Sequence, residues 1–542
     1  MSETSKPAVQ DRVDVLVLGA GVTGIYQLYK AREAGFSTRL LEAGTGVGGV
    51  WYWNRYPGAR FDSESYTYGY LFSKELWEGW EWSERFAGQP EIERYFNHVV
   101  DKFDLRRDIR TGAKVTSAVF DEPSGTWTVR GSDGTEVRAR YVVAATGNLS
   151  VPFIPNIPGR DDFRGAQHHT ARWPKTPVDF TGKRVAQIGT GSSGVQIISA
   201  IADDVAQLTV YQKDADWLTP LNNGPITPEE QAELRADFES IRETLNTSPS
   251  GFLHQIVMRS GLDDSPEDRQ AFYEERWNGP GFTKLTEHYM DMLSNETVNA
   301  EWCAFMADKI RSIVKDPDTA DKLIPKAHGY GGRRPPFGTG YYETYNKPNV
   351  SLVDINTTPI TRITEDGIET ADGVEEFDVI IWATGYDFGT GALNRLGVQG
   401  RQGLPLKEYW ADGPRTYLGV ATAGFPNFFF PGGPHGATGN NPRYAGDQVE
   451  IITDALVHTR DSGYDVIEVT EAAEEEWTDS MNNSTMSSFL ESSYFYGGNI
   501  PGKPVKQLLN PTGRWALLEA INAVKENEFP TFVLTKAETP DA

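Results

Sequence analysis

A turn that occurs twice constrains this chain more than anything else in it. Gly19-Ala20-Gly21-Val22-Thr23-Gly24 follows a continuous apolar run at 13–18, and Gly189-Thr190-Gly191-Ser192-Ser193-Gly194 follows a strand-like run at 183–188. Each opens a helix-periodic stretch and then a short strand, ending at Glu42 in the first case and Gln212 in the second. In a GxGxxG between strand and helix, the first glycine permits the tight turn and the second lets the backbone approach a pyrophosphate. The third lets helix and strand pack closely, while the free N–H groups of the helix face the phosphates. Both units are answered later by a strand ending Ala-Thr-Gly, at 141–147 and 378–385, whose small residues also allow close backbone approach.

This pattern predicts an α/β protein with two Rossmann-like dinucleotide-binding domains. The polar, helix-periodic stretch from 227 to 322 reads as a helical insertion in the second. The expected division is 1–150 and 386–542 for the first domain, 151–225 and 331–385 for the second, and 226–330 for the insertion.

The two strand ends differ. Glu42, about 20 residues past the turn, is placed to accept hydrogen bonds from an adenosine ribose; its charge repels a 2′-phosphate, pointing to FAD or NAD. The second strand ends at Lys213-Asp214, where the lysine favours NADP and the aspartate works against it. An exposed strand-end lysine without a ligand is the alternative. Two dinucleotides in one chain exchange a hydride. Cys303 is the sole cysteine, so no disulfide closes within the chain and no CxxC can accept flavin electrons. Oxygen is then the expected acceptor, and no metal site is expected. A net charge of −25 argues against nucleic acid and anionic membranes as partners. The first residues, MSETSKPAVQDR, carry no apolar signal segment, and no run approaches the ~20 apolar residues that span a bilayer. The expectation is a cytoplasmic protein, a monomer or weak homo-oligomer.

Two longer patterns are more specific. Phe163, Gly165, His169 and Trp173-Pro174 fit FxGxxxHxxxW followed by proline, just before the second glycine turn. Gly48-Gly49-Val50-Trp51, then Tyr56-Pro57-Gly58 and Asp62, form the second. Both resemble the signatures of the type I Baeyer–Villiger monooxygenases, and the resemblance continues through 341–346, 383–387, 424–429 and 499–504. It implies FAD and NADPH as cofactors, and a small ketone and O2 as substrates. It also implies insertion of one oxygen atom beside the carbonyl, through a C4a-peroxyflavin, to give an ester or lactone. Arg334 matches the family's catalytic cation; an arginine keeps its proton and so cannot quench a peroxide anion. Asp62 matches the carboxylate that pairs with it. Without the motif, the two would be an ordinary ion pair. His169 is implied as a linker residue coupling the two nucleotide domains, not an acid or base. Beyond the two glycine turns, the implied cofactor-binding positions are Glu42, Gly49, Val50, Trp51, Arg60, Asp62, Tyr68 and Val115 for the flavin. For the nicotinamide nucleotide they are Gln196, Lys213, Asp214, Arg333 and Tyr494.

The chain departs from the family in places. Lys213-Asp214 stands where relatives usually show Arg-Thr, Arg333 where they often show Lys, and Tyr494 where one shows Trp. A phenol can replace the indole N–H as donor. The segment 436–446 reads as a short polar loop beside the pocket, and 505–518 lacks a family motif. Three alternatives stay open: an N- or S-oxygenating flavin monooxygenase, whose signature ends without the final Trp; an NADPH oxidase releasing hydrogen peroxide; and a flavin-bound sensor.

Overall fold

The computed structural model describes residues 10–436, 439–484 and 492–538. The first glycine turn joins β1 (Gln10–Leu18) to α1 (Val22–Glu33), and β2 (Thr38–Glu42) follows. β1 lies in a parallel core, between β2 and Glu136–Val143. Val15, Leu16 and Val17 are fully buried because helices or sheet cover both faces; a run of apolar residues, not an alternation, is what such a strand requires. Past β2 the sheet adds Ile109–Thr111. On the other side it passes through Thr126–Gly131 and Val115–Asp121 to Val398–Gln399. Phe428–Phe429 pairs with the far end of Glu136–Val143, so the chain beyond 385 returns to this sheet.

The second turn joins β3 (Arg184–Ile188) to α2 (Ser192–Ile201), with β4 (Gln207–Gln212) next. Its sheet is parallel throughout, in the order Val350–Asp354, β4, β3, Val379–Trp382, Ala166–His169. α1 and α2 each start directly after the second glycine of the turn, earlier than the apolar periodicity suggests. Gly21 and Gly191 are extended N-caps, and the polar residues after them form the first helical turn, where N–H groups are free.

The stretch between Gln207–Gln212 and Val350–Asp354, two paired strands of the second sheet, is helical: Pro228–Ala236, Phe238–Thr247, Pro266–Asn278, Glu296–Ile313 and Pro317–Leu323. Thr227 starts it with a capping box to Glu230. Its packing is divided. Phe238, Ile241 and Leu245 bury against Leu71 and Trp77 of the chain that follows the first unit. Tyr273, Trp277 and Trp302 join the core of the second sheet. Among the described residues, no helix is long and apolar enough to cross a membrane, and no cluster of His, Cys, Asp and Glu could hold a metal ion.

Candidate functional site

A cleft of about 1020 Å³ opens at the carboxyl ends of the parallel strands, where ligands of open α/β sheets bind. From the first unit's side it is lined by Gly19, Gly21, Val22, Thr23, Glu42, Gly49, Val50, Trp51, Arg60, Asp62, Tyr68 and Val115. Ser192, Gln196, Arg334 and Tyr494 line it from the other side. Gly24, Thr190, Gly191, Ser193, Gly194, Lys213, Asp214 and Arg333 are not among its lining residues.

The glycine turns show why the Ala-Thr-Gly strands accompany them. Gly19 (φ 103°) and Gly189 (φ 104°) both lie in the left-handed region. A Cβ on Gly19 would fall 2.6 Å from the Ala145 carbonyl oxygen, and one on Gly189 would overlap that of Ala383. Each turn therefore passes directly beneath the partner strand's alanine. Gly24 and Gly194 are packing positions, since a Cβ on either would overlap the carbonyl oxygen of Gly19 or Gly189. Over Gly21 the chain folds back: Gly48 N–H donates to the Ala20 carbonyl at 2.8 Å, and the helix Val50–Trp53 follows.

Glu42 is 5% exposed, and its two oxygens accept from the N–H groups of Ala20 (2.7 Å) and Gly44 (2.6 Å). Burial raises its pKa, against the pull of those donors. Part of its accepting capacity is thus spent on fixing the turn, which spacing alone does not reveal. Beyond β4, Lys213 is exposed, whereas Asp214 accepts from Arg333 at 2.9 Å. Thr190 donates to the Asp214 carbonyl at 3.3 Å. The aspartate that opposes a 2′-phosphate therefore has its charge matched by an arginine from 119 residues away.

Arg334 and Asp62 meet at 2.5 Å on the cleft wall. Burial works against the guanidinium's charge, but Asp62, together with Tyr494 and Asp216, offsets it and holds the pKa above the ordinary arginine value. The same side chain donates to Ser192 Oγ at 3.3 Å and to the Pro335 carbonyl at 3.0 Å, and lies 5.0 Å from the Phe282 ring centre. Asp216, close by, is pushed up to about 6 by burial. Tyr494 lines the cleft and packs edge-on against Phe388.

The pattern's specified residues, Phe163, Gly165, His169 and Trp173, do not line the cleft. A Cβ on Gly165 would strike the Phe163 ring and the Asp378 carbonyl, so these residues fix the edge of the second sheet. His169 is the last residue of the edge strand rather than a loop residue, paired in register with Trp382. Its Nδ1 accepts from Ala171 N–H at 2.9 Å, which leaves Nε2–H to donate to the Phe153 carbonyl at 3.2 Å. Thr384 donates to the same carbonyl at 2.5 Å, so the linker from the first sheet hangs from the second at this point. Burial lowers His169 to about 4, so its ring is neutral near neutral pH. Trp173 packs against Tyr56, whose hydroxyl reaches Ser193 Oγ (3.0 Å) and Gln196 Oε1 (2.9 Å). Gln196 in turn donates to the Arg60 carbonyl at 3.2 Å, which docks the Tyr56–Gly58 turn on α2.

Sequence reasoning missed several cleft residues. Arg172 lies inside the histidine–tryptophan motif at an unspecified position; it stacks on Trp53 at 4.5 Å and donates to the Ser150 carbonyl at 2.7 Å. Phe252, Phe282, Leu285 and Thr286 come from the helical stretch, which carries no motif. The segment 436–446 is a loop only in part: a 21-residue helix starts at Asn441, with proline in its first turn, and Asn441, Tyr444 and Ala445 line the cleft. Ala437 and Thr438 lie outside the described residues.

Comparison with known proteins agrees with this geometry. Residues 16–247 match the family described as pyridine nucleotide-disulphide oxidoreductase. The chain is 44% identical, over 88% of its length and 89% of the other, to a 2-oxo-Δ3-4,5,5-trimethylcyclopentenylacetyl-CoA monooxygenase of Pseudomonas putida. It is 42% identical to an acetone monooxygenase (methyl acetate-forming) of Gordonia sp. (strain TY-5), over 94% and 98% of the two chains. It is also 40% identical to a phenazine N-monooxygenase of Lysobacter antibioticus, over 96% and 97%. A crystal structure of OTEMO in complex with FAD and NADP superimposes with a TM-score of 0.93 at 40% identity, covering 96% of this chain and 99% of that one.

Proposed function

The chain belongs to the flavin-dependent Baeyer–Villiger monooxygenase family, and from that premise we propose that it uses NADPH and O2 to insert an oxygen atom beside the carbonyl of a small ketone, giving an ester or lactone. The observation that carries this reading is the Arg334–Asp62 pair, set in one cleft between two glycine turns.

The residues present fit both dinucleotides. Bare glycine backbone at Gly21 and the helix N-terminus behind it suit the pyrophosphate of FAD, with Glu42 and Val115 at the adenosine end. Gly191 has nothing within 4 Å of where its Cβ would be, leaving room for a second pyrophosphate. Lys213 and Arg333, the latter shared with Asp214, stand where a 2′-phosphate would bind. FAD, when bound, supplies hydride acceptance and oxygen activation. The chain supplies the rest. Arg334 holds a fixed positive charge where negative charge develops on the oxygen and the ketone adduct. Asp62 orients that guanidinium, and Phe252, Phe282 and Leu285 keep the wall apolar and exclude water. His169, held neutral on the far side of the linker, has no part in proton transfer.

The test is NADPH consumption in air with a panel of cyclic, linear and aryl ketones and mass detection of the product. One ester per NADPH, dependent on ketone, is the expected result. The phenazine N-monooxygenase relative makes nitrogen oxygenation the second reading, so aromatic amines and N-heterocycles belong in the same panel. N-oxide without ester would replace the first reading, and peroxide alone would indicate an oxidase.

A further inference from the structure

A second acid–base pair stands beside the first on the same segment. Two residues after Asp62, Glu64 accepts from His254 Nε2 at 2.7 Å, and the two side chains are only 3% and 8% exposed. The other ring nitrogen, Nδ1, faces Thr286 Oγ1 at 2.7 Å. That hydroxyl also lies 2.8 Å from the Phe282 carbonyl, to which it can donate while accepting from Nδ1. In that arrangement both ring nitrogens donate and the pair is ionic. Burial alone would lower the pKa of His254; Glu64 more than offsets it and raises it. The next charges around it, Arg276 and Glu287, pair with each other at 2.8 Å.

The His254 ring lies parallel to Phe252 (ring centres 5.6 Å, planes 11° apart), and Phe252 lies on Phe282 (5.0 Å, 25°). The Arg334 guanidinium sits 5.0 Å from the Phe282 ring centre. Four planar groups thus run from the buried pair to the Arg334–Asp62 pair, and Phe252 and Phe282 form part of the cleft wall. Both ends of the run are anchored on residues 62–64. A cation over an aromatic face gains most where water is excluded, so the Phe282 ring, backed by Phe252, contributes to where the guanidinium rests beside its bonds to Asp62, Ser192 and the Pro335 carbonyl.

We infer that His254 and Glu64 are positioning residues: they fix the Phe252–Phe282 wall and, through it, the direction of Arg334 towards the reacting atoms. The inference rests on the role given to Arg334 above. His254→Phe keeps a stacking ring and removes both donors. Glu64→Gln keeps shape and removes charge, and Glu64→Asp, the mildest change, keeps charge and shortens reach. On the flavin-loaded full chain three quantities are read: melting temperature, anaerobic bleaching of the flavin by NADPH, and ester against hydrogen peroxide formed per NADPH in air. The expected result is bleaching within twofold of the parent in all three variants. The ester share should fall at least fivefold in the first two and about twofold in Glu64→Asp, with peroxide making up the balance. An unchanged ester share in a folded variant overturns the inference. So does a parallel loss of bleaching and ester, which marks the pair as structural only. A parent protein that forms no ester from any ketone overturns the reading of Arg334 itself, and this inference with it.

Discussion

A Cβ on Gly21 would meet the Gly49 backbone at 3.4 Å, and one on Gly49 would meet Gly21 at 2.7 Å, whereas at Gly191 nothing lies within 4 Å. The two turns have the same spacing and the same relation to an Ala-Thr-Gly strand, yet the first is roofed by its own chain and the second is open. Beyond the turns the contrast continues. Glu42 is buried and tied to two backbone N–H groups, while Lys213 is exposed and Asp214 is held by a distant arginine. A roofed turn suits a nucleotide retained from one turnover to the next. An open turn suits one admitted from solvent each time. One motif therefore stands in two different surroundings, which its spacing does not distinguish.

The largest expected effect tests this directly. Gly49→Ala drives a methyl group to 2.7 Å from the Gly21 backbone and so presses on the roof of the first turn; it should yield protein that no longer retains flavin on purification, read as loss of yellow colour. Gly191→Ala meets no protein atom; it should stay yellow and raise the KM for NADPH on the order of tenfold, because the methyl crowds only the incoming pyrophosphate. A colourless Gly191→Ala protein would erase the distinction.

Next in size is the pair between the two units. Arg334→Met should lower ester formation by roughly 10²–10³, the cost of losing one preorganised charge at a developing anion, while flavin content stays normal. Asp62→Asn should lose less, because the cation remains and only its orientation suffers. Product quantification per NADPH separates these from losses in flavin reduction.

A smaller change is expected at the open site. Asp214→Ser releases Arg333 and should raise the preference for NADPH over NADH on the order of tenfold, about 1.4 kcal/mol. Arg333→Ala should move the ratio the other way, read as kcat/KM for each nucleotide.

The smallest concerns the joint between the folds. His169 titrates near 4 when folded and near 6.5 when unfolded, so the unfolded chain binds the extra proton between these values. Its contribution to stability is complete above about pH 6.5 and falls as pH drops towards 4, by about 2 kcal/mol at pH 5. His169→Asn should flatten the drop in melting temperature between pH 7.5 and 5 relative to the parent. An unaltered drop would show that other groups carry the acid response.

Much of the architecture was legible because it is local. The run before the first turn ends in four consecutive apolar residues, 15–18, which only a strand buried on both faces needs, and the glycines are demanded by backbone contacts a few residues apart or by a strand with its own short signature. Asp62 and Arg334 were legible through motif placement, and the structure brings them to 2.5 Å. Less legible were the fate of Asp214, because its partner Arg333 lies on another element, and the start of the helix at Asn441, because a polar stretch with proline reads as a loop until its N-terminal position is known. Phe252, His254 and Phe282 gave no signal. Aromatics and a histidine in a helix-rich stretch look like ordinary core, and nothing in their spacing says which cleft they will face.

The amino-acid sequence by itself determined two nucleotide-binding units, the acidic and basic ends of their second strands, and the identity of the charged pair between them. The units and strand ends follow from short-range steric needs of the backbone and from residue chemistry; the charged pair follows from the family motifs that the chain resembles. Only the tertiary structure decided which turn is roofed, which aspartate is neutralised, and which rings stack from His254 to Arg334. Each depends on groups far apart in the chain meeting at one place, and that meeting is set by the packing of two sheets and a helical stretch, not by any local preference.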